Sequence, residues 1–307
     1  MKLKKKFKVV IIGYGSIGAL HLNILKKIKK IEKILVITNQ NLKKTNKVKF
    51  SKNIKSITNF DPDYIIVSSP TSKHYKDFCY LEKNLKNKIV LVEKPLFQKY
   101  VFLKQKLSNT YFVNYNLREL NLIKYLKKFI NNKSIFNVEI NCSSYLPWWR
   151  ENIPYQKSSS GKKELGGGVL NDLSHEIDYA LLLFGNFKVR YFCSNKISNL
   201  RINTNDIFFA LLFAKKKLIK ISLNYFSKIP KREIIINTKN YQLNANLIEN
   251  FIRIKYDKKI DKLINFNDSI KDTYKSVHDK ILNNDFKNLC SLKEGVKVVR
   301  YLEKFNK

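Results

Sequence analysis

The segment FKVVIIGYGSIGALHLNILKK, residues 7–27, is the most informative part of the sequence. An apolar run at 7–12 is followed by three spaced glycines and then by an amphipathic stretch at 16–29. In such a strand–turn–helix unit the glycines permit a tight turn, close approach of a pyrophosphate to the backbone, and close packing of helix on strand. The pattern therefore predicts a dinucleotide-phosphate site at Gly13, Gly15, Ser16, Ile17 and Gly18.

Short apolar runs alternate with lysine-rich amphipathic segments up to about residue 118. Further strands are predicted at 33–38, 64–68, 89–92 and 111–113, with a second helix at 73–86. Strands that alternate with helices indicate a parallel sheet covered on both faces. We therefore expect residues 1–118 to form a doubly wound dinucleotide-binding domain of the Rossmann type.

The pattern changes after residue 118. A helix is predicted at 120–130, a strand at 135–142, a polar Ser- and Gly-rich stretch at about 143–168, and a helix at 169–184. Strand candidates then follow in series, and two closing helices come last; their ranges are 189–195, 207–214, 217–225, 232–238, 241–246, 247–256, 272–283 and 291–304. Successive strands with short turns indicate an antiparallel or mixed sheet. Residues 119–307 are thus expected to form a second α/β domain with a largely antiparallel sheet.

The net charge of +36 raises the possibility of a nucleic-acid partner. Only seven of the 60 basic residues are Arg, however, and base and phosphate recognition favours the planar fork of Arg. The Lys excess accompanies abundant Asn and Ile, which compositional drift in a low-GC genome explains. We expect no specific nucleic-acid partner, but weak, salt-sensitive binding to polyanions or an affinity for anionic substrates.

Four separated cysteines and four isolated histidines offer no metal-ligand spacing, so no metal is expected. No apolar run has the length of a membrane span, and reduced thiols suit a cytoplasmic location. The basic residues 2–8 before an apolar run also resemble a signal peptide, but a signal peptide has no reason to place glycines at this spacing.

The second predicted strand ends at Thr38 and Asn39, where dinucleotide folds usually carry an acidic residue for the adenosine ribose. No carboxylate is present, and Lys43 and Lys44 follow closely. The cofactor is therefore expected to be NAD or NADP, and the missing acid favours NADP. The alternative is that these lysines belong to the general Lys excess.

Two further strand ends are expected at the same carboxyl edge of the sheet, where ligands bind. One supplies Ser69, Pro70, Thr71 and His74 to the cofactor, and the other supplies Glu93 and Lys94. Adjacent Glu and Lys residues are often an ordinary surface pair. Their place after a buried strand of a dinucleotide domain favours the functional interpretation instead.

A second glycine cluster, GGGVLNDLSHEIDY at residues 166–179, precedes a predicted helix. Helical spacing allows Asn171, Asp172, His175 and Asp178 to share one face. A His beside carboxylates has a pKa suited to general acid–base chemistry. The alternative is a structural His, which is the commoner role of a single helical His.

Taken together, these residues resemble the Gfo/Idh/MocA oxidoreductases, the glucose-fructose oxidoreductase and inositol dehydrogenase superfamily. The resemblance rests on GYGSIG at 13–18, SSPTSKH at 68–74, EKP at 93–95, NYNLRE at 114–119 and GGGVLNDLSHEIDY at 166–179. Residues 144–185 are similar to members from bacterial surface-polysaccharide and sialic-acid-like sugar pathways. The resemblance implies NAD(P)-dependent hydride transfer to or from a sugar, nucleotide sugar or cyclitol, in a homodimer or homotetramer built on the C-terminal sheet.

The resemblance also implies roles for single residues. Lys94 corresponds to the family's catalytic lysine, His175 to its acid–base histidine, and Asp172 to the aspartate that assists it. Inositol dehydrogenase-like members separate that Asp and His by four positions, whereas the gap here is three, so Asn171 takes the aspartate's place when the chains are aligned on the His. The expected substrate contacts are Asn116, Arg118, Trp149, Arg150, Tyr155, Asn171 and His175.

Two other function classes compete with the oxidoreductase. A non-catalytic dinucleotide sensor or scaffold in the same pathway would keep the glycine loop but be indifferent to loss of Lys94 and His175. A basic nucleic-acid-binding protein would show one of the known recognition motifs, and we find no helix-turn-helix, RNP or zinc-finger pattern.

Overall fold

The computed structural model describes residues 5–103, 106–130, 134–151, 153–256 and 261–306. The chain divides into two compact units. The first unit comprises Met1–Asn116 and Lys271–Val299, and the second comprises Leu117–Ile270 and Arg300–Lys307.

Residues up to 116 alternate strands with helices. The elements are β1 (Phe7–Ile12), α1 (Ser16–Lys26), β2 (Ile31–Ile37), β3 (Val48–Ser51), α2 (Ser56–Phe60), β4 (Tyr64–Val67), α3 (Thr71–Asn84), β5 (Ile89–Val92) and β6 (Thr110–Val113). Every pairing among these strands is parallel, in the order β3-β2-β1-β4-β5-β6. This is the strand order of a doubly wound dinucleotide-binding sheet.

The central strands of this sheet are continuously apolar because helices cover both of its faces. Val9, Val10, Ile11 and all of β4 are essentially inaccessible to solvent. Helix α1 buries one side at positions 18, 21, 22 and 25, the spacing of a single helical face. The carboxyl ends of β1, β2, β4 and β5 consequently meet at one edge, where the predicted site residues follow.

The second unit begins with a 3₁₀ turn and α4 (Asn121–Phe129) and then builds a larger sheet. Its further elements are β7 (Ile135–Tyr145), α5 (Val169–Asp172), α6 (His175–Phe184), β8 (Lys188–Asn195), β9 (Ile207–Ala214), β10 (Lys217–Asn224), β11 (Phe226–Thr238), β12 (Tyr241–Asn246), β13 (Phe251–Tyr256) and β14 (Asp261–Asn265). The strand order is β14-β13-β12-β11-β7-β10-β9-β8. Only the pairing of β7 with β10 is parallel, so the sheet is largely antiparallel, as the sequence predicts.

The chain then returns to the first unit. Helix α7 (Ile270–Leu282) buries Val277, His278 and Ile281, and strand β15 (Cys290–Ser291) pairs antiparallel with β6. Helix α8 (Leu292–Phe305) follows directly. Val277, Ile281 and Leu282 join the same apolar cluster as Val9, so α7 completes the core of the parallel sheet.

Two local predictions are wrong. The continuous helix predicted at 169–184 is two helices, because the backbone of Leu173, at φ −97° and ψ 31°, leaves the helical region. The strand predicted at 247–256 begins only at Phe251, after a turn that ends at Asn250 with φ 60°. The sequence analysis also misses β3, α2 and β14, which have only four or five residues each and too short a pattern to recognise.

Candidate functional site

The glycine loop has the shape that a dinucleotide phosphate requires. Gly13 has φ +96°, and a Cβ there would lie 2.6 Å from the amide nitrogen of Ser69. A Cβ on Gly18 would lie 2.2 Å from the Gly13 carbonyl oxygen, so the loop and α1 pack with no room for a side chain. The Ser68 hydroxyl closes the turn by donating to the carbonyls of Ile12 and Gly13 at 3.2 and 3.0 Å.

Gly15 differs from the other two glycines because a Cβ there would meet no atom within 4 Å. It caps α1 with no side-chain hydrogen bond, and the amides of a first helical turn have no partner within the helix. Ser16, Ile17 and Gly18 supply those amides beside the open space. Open space in front of unpaired helix amides fits the pyrophosphate of a dinucleotide.

The end of β2 opens into a cavity of about 410 Å³ lined by Thr38 and by residues 40–44 and 50–52. The Gln40 amide donates to the Thr38 hydroxyl at 3.2 Å, and its side chain donates to the Tyr14 carbonyl at 2.9 Å. Asn39, which lies between Thr38 and Gln40 in the chain, is exposed. Lys43, Lys44 and Lys52 line the cavity and no carboxylate does, so it offers positive charge where the adenosine ribose of a dinucleotide lies.

The loop after β4 is tied to the loop after β5 through His74. The buried imidazole places Nε2 2.8 Å from the Ser69 carbonyl, and Nδ1 3.1 and 3.2 Å from the carbonyls of Pro95 and Leu96. Burial lowers the pKa of His74, although these carbonyls oppose the shift.

Pro70 and Thr71 begin α3 beside this contact, and the Ser69 hydroxyl donates to Asp77 at 2.6 Å. The loops after β4 and β5, whose strands end 25 residues apart at Val67 and Val92, are thus held together.

Glu93 and Lys94 lie at the end of β5. The Glu93 carboxylate is buried, and its Oε1 accepts from Asn114 at 2.5 Å and lies 2.8 Å from Nε2 of His21. Its Oε2 accepts the Lys94 backbone amide at 3.3 Å. Lys94 itself is half-buried. The pair is therefore not a solvated surface pair, since the acid belongs to the core and the lysine adjoins the cofactor loops.

In the second unit, the glycine cluster forms a tight loop before α5. Gly166 and Gly168 have φ +85° and +119°, and a Cβ on Gly167 would lie 2.0 Å from the Ser159 carbonyl. The Asn171 side chain donates to the carbonyls of Gly166 and Gly167 at 3.1 and 3.4 Å. Asn171 therefore secures the loop that precedes the histidine.

The expectation that Asn171, Asp172, His175 and Asp178 share one helical face is wrong, because the helix breaks before His175. Asp172 accepts a 2.5 Å hydrogen bond from the Tyr225 hydroxyl. His175 starts α6 and is 8% exposed. Asn171 and Asp172 are therefore held by separate contacts, and His175 begins the next helix.

Asp178 forms a buried ion pair with Arg118, whose Nε and terminal nitrogen lie 2.6–3.1 Å from both carboxylate oxygens. Both side chains are almost inaccessible to solvent. This geometry ties the segment after residue 116 to α6. Asn116, in the first unit, is likewise buried and donates to the Thr273 hydroxyl of α7 at 2.6 Å.

Trp149, Arg150 and Tyr155 are brought together around a small cavity of about 10 Å³ in the second unit. The Trp149 indole donates to the Ser144 hydroxyl at 2.8 Å and packs edge-on against Tyr225, with ring centroids 5.2 Å apart. The Tyr155 hydroxyl accepts the Arg201 amide at 3.2 Å. Through Tyr225 this group adjoins Asp172.

Sequence reasoning misses several residues that hold the site. Tyr225 orients Asp172, and the buried pair of Glu176 and Arg232, 2.8 Å apart, fixes the first turn of α6. Tyr225 ends a predicted strand with nothing to distinguish it. His21 gives a weak signal, since it is a titratable residue among the apolar positions of α1.

The described residues contain no group of His, Cys, Asp and Glu side chains that could hold a metal ion. Within the same residues, no helix has the length and hydropathy of a membrane span.

The strand order and the glycine loop define a dinucleotide-binding domain of the Rossmann type, and a family model agrees. Residues 7–115 match the model of the Gfo/Idh/MocA family, which is described as an oxidoreductase family with an NAD-binding Rossmann fold. The family resemblance stated from the sequence motifs is thereby confirmed over residues 7–115. No curated protein sequence matches the chain.

Solved structures share the fold over nearly the whole chain. UDP-N-acetylglucosamine 3-dehydrogenase from Acidithiobacillus ferrooxidans is 15% identical, with a TM-score of 0.75 over 98% of this chain and 99% of that one. Levoglucosan dehydrogenase in complex with NADH is 14% identical, with a TM-score of 0.83 over 98% and 96%. GenD2 from gentamicin A biosynthesis, in complex with NAD, is 14% identical, with a TM-score of 0.76 over 97% and 93%.

Proposed function

We propose that the protein is an NAD(P)-dependent dehydrogenase or reductase of a sugar, nucleotide sugar or cyclitol. The proposal rests mainly on one observation. At one edge of the parallel sheet, Ser69 and His74 connect the open Gly15 loop to the segment that bears Lys94. Two of the similar structures are named as dehydrogenases of a nucleotide sugar and of levoglucosan. A role in a cytoplasmic surface-polysaccharide or sialic-acid-like sugar pathway belongs to the same proposal.

A bound nicotinamide dinucleotide would supply the hydride acceptor or donor. The amides of residues 15–18 would hold its phosphates, with Thr38, Asn39, Ser69, Pro70, Thr71 and His74 shaping the rest of its site. The Lys94 ammonium would donate a hydrogen bond to the reacting oxygen and stabilise its developing negative charge, which is worth several kcal/mol where water is excluded. His175 would accept the hydroxyl proton in the oxidative direction.

Further residues have supporting roles in this proposal. Asp172, oriented by Tyr225, would set the electrostatic environment of the proton transfer. Trp149, Arg150 and Tyr155 would contact the substrate, and an Arg beside aromatic rings suits a phosphorylated or nucleotide-linked sugar. The side chains of Asn116, Arg118 and Asn171 bind protein groups. In this proposal these three residues shape the substrate site. Residues 1–118 would bind the coenzyme, and residues 119–307 the substrate and a second copy of the chain.

The test is a turnover screen with both coenzymes and a panel of sugars, nucleotide sugars and cyclitols. We expect turnover that falls by about 100-fold or more in Lys94→Ala and in His175→Ala, with coenzyme binding retained. Lys86→Ala is the matched control, because Lys86 is exposed and remote from these loops. A protein that binds coenzyme but turns over nothing would instead be the sensor or scaffold.

The lysine-lined cavity after β2 supports NADP as the preferred coenzyme. The double variant Lys43→Ala/Lys44→Ala should weaken NADPH binding by about 10-fold and leave NADH binding within about 2-fold, because only NADPH carries a 2′-phosphate. Lys83→Ala/Lys86→Ala removes two exposed lysines elsewhere, one on α3 and one just after it, and serves as the control. Equal effects on both coenzymes would contradict the preference.

A further inference from the structure

A chain of buried polar side chains crosses the interior of the first unit and ends at Glu93. The Tyr64 hydroxyl lies 2.9 Å from Nδ1 of His278, and Nε2 of His278 lies 2.9 Å from Nδ1 of His21. Nε2 of His21 lies 2.8 Å from Oε1 of Glu93. Tyr64 and the imidazoles of His21 and His278 are inaccessible to solvent, so water does not compete for these hydrogen bonds.

The Glu93 end sets the direction in which this chain donates. Both oxygens of Glu93 face donors, since Oε1 accepts the Asn114 amide and Oε2 accepts the Lys94 backbone amide. A carboxylate is acceptor-only, so Nε2 of His21 must carry a proton. Burial lowers the pKa of His278 well below its ordinary value, so this ring carries one proton; we place it on Nε2, facing Nδ1 of His21, which leaves Nδ1 of His278 as an acceptor. The Tyr64 hydroxyl donates to that nitrogen.

The ionisation of the members agrees with this direction. Burial raises the pKa of Glu93, but the contacts with His21 and Asn114 and the charge of Lys94 outweigh it and hold the pKa below its ordinary value. Burial lowers the pKa of His278 well below its ordinary value and raises that of Tyr64, so the imidazole is neutral and the phenol keeps its proton. The ring of Tyr274 also packs edge-on against His21, with ring centroids 5.4 Å apart.

We propose that Tyr64, His278 and His21 are positioning residues for Lys94 and act through Glu93. Their one-directional hydrogen-bond chain keeps Glu93 ionised and oriented, and Glu93 in turn fixes the Lys94 amide and places a negative charge beside its ammonium. The role of Lys94 rests on the proposed function, whereas the chain itself does not. Its middle member comes from α7, about 185 residues beyond Lys94 in sequence.

The direction of the chain is tested by the protonation of the imidazole nitrogens. The protein has only four histidines, so ¹⁵N-histidine labelling and long-range ¹H–¹⁵N correlation resolve each ring, with assignments from His21→Gln and His278→Gln. At neutral pH we expect Nε2 to carry a proton, and Nδ1 to carry none, on both His21 and His278. An imidazolium or an Nδ1–H form at either residue would overturn the proposal.

The action on Lys94 is tested at the far end of the chain with Tyr64→Phe. Tyr111→Phe is the matched control, because it removes another buried hydroxyl of this unit, one that donates to Glu82 at 2.9 Å outside the chain. Tyr64→Phe should shift the His278 nitrogens, and it should raise the rate of Lys94 acetylation in competitive labelling by acetic anhydride by about 2-fold or more. Loss of the Tyr64 hydrogen bond should make the ionised form of Glu93 less favourable. Glu93 then stabilises the Lys94 ammonium less, so the acetylation rate rises.

Tyr111→Phe should leave both readouts unchanged, and exposed lysines such as Lys86 give the reference rate. A Lys94 rate that stays constant in Tyr64→Phe, or that changes equally in Tyr111→Phe, would overturn the positioning role. Both readouts need no substrate. Absence of turnover would therefore remove the proposed function alone.

Discussion

Gly13 and Gly15 are two residues apart, yet the structure assigns them different constraints. Gly13 is glycine for a backbone reason, because its φ is positive and a Cβ would strike the Ser69 amide. A Cβ on Gly15 would meet no atom within 4 Å, so the folded chain alone does not require glycine there. Because a side chain at position 15 would occupy only open space, a substitution there can affect ligand binding without affecting the fold.

Gly15→Ala should therefore unfold like the wild type, with a free energy of unfolding within about 0.5 kcal/mol, but bind coenzyme about 10-fold more weakly. Gly13→Ala should instead lose about 1–3 kcal/mol of stability from its strained backbone, with more from the clash. Chemical denaturation and coenzyme titration measure the two effects. A Gly15→Ala variant that binds coenzyme normally would show that the loop does not hold the phosphates.

Helix α6 carries His175 on its first turn and is held by buried charges on both sides of that turn. Asp178 pairs with Arg118 and Glu176 pairs with Arg232, all within the second unit. A buried ion pair contributes little net stability but is costly to break, since one charge is then left without its partner. These pairs fix where α6 begins, and the histidine is positioned by that start.

Arg118→Leu should destabilise the protein by about 3–5 kcal/mol, whereas the double variant Arg118→Leu/Asp178→Leu should recover most of that loss. Equilibrium denaturation of the wild type, both single variants and the double variant gives the coupling energy between the two residues. Additive losses would contradict a structural pair and would favour a direct role of Arg118 at the substrate.

The turn after β8 depends on the ionised carboxylate of Asp206. Burial raises the pKa of Asp206, but hydrogen bonds from the Ser198 hydroxyl and from the amides of Ile197 and Ser198 outweigh it and lower the pKa below its ordinary value. A group with a lowered pKa in the folded state stabilises the fold above its unfolded pKa. That contribution is lost as the pH falls through the folded pKa.

Asp206→Asn should accordingly cost about 1–3 kcal/mol at pH 7, where the carboxylate accepts from the Ser198 hydroxyl and two backbone amides and pairs with the Lys196 ammonium. The difference from the wild type should shrink as the pH falls below about 4, the ordinary range of an aspartate. Denaturation midpoints across that pH range measure it. Ser198→Ala should reproduce part of the loss, and a pH-independent difference would contradict the mechanism.

Across the whole molecule, the sequence predicts the fold wherever a local pattern is long enough. The buried strands and the glycine spacing predict the parallel sheet, and successive strands predict the antiparallel one. Three features depend on contacts between distant segments, and no local pattern contains them. They are the return of α7 and β15 to the first unit, the break before His175, and the turn at residues 247–250.

The site divides in the same way. Gly13, Gly18, Glu93 and Lys94 are recognisable because each follows a buried strand or falls at a required spacing. Tyr225, His278 and Arg232 come from elements far along the chain, and each becomes relevant only through the one side chain it contacts. Sequence reasoning identifies residues that chemistry demands, while those that position them emerge from tertiary contacts.

The proposed assembly of two or four copies belongs to this scale. On β9, the even-numbered residues are buried, and the alternate positions Phe209, Leu211 and Phe213 remain partly exposed beside Tyr191 of β8, which is 57% exposed. Light scattering coupled to size exclusion should give a dimer or tetramer, and Leu211→Lys/Tyr191→Lys should dissociate it while the fold survives. Lys83→Glu, at an exposed position of α3 in the first unit, is a charge-changing control, and a monomeric wild type would contradict the proposal.

Calorimetric titration of the wild-type protein with NADPH and with NADH tests the central claim most directly. We predict one molecule bound per chain, with tighter binding of NADPH and weaker binding in Gly15→Ala. The opposite result would be protein that unfolds cooperatively but gives no binding heat with either coenzyme and no sign of binding either one in a competition titration. That result would contradict the assignment of the glycine loop and the dehydrogenase function built on it.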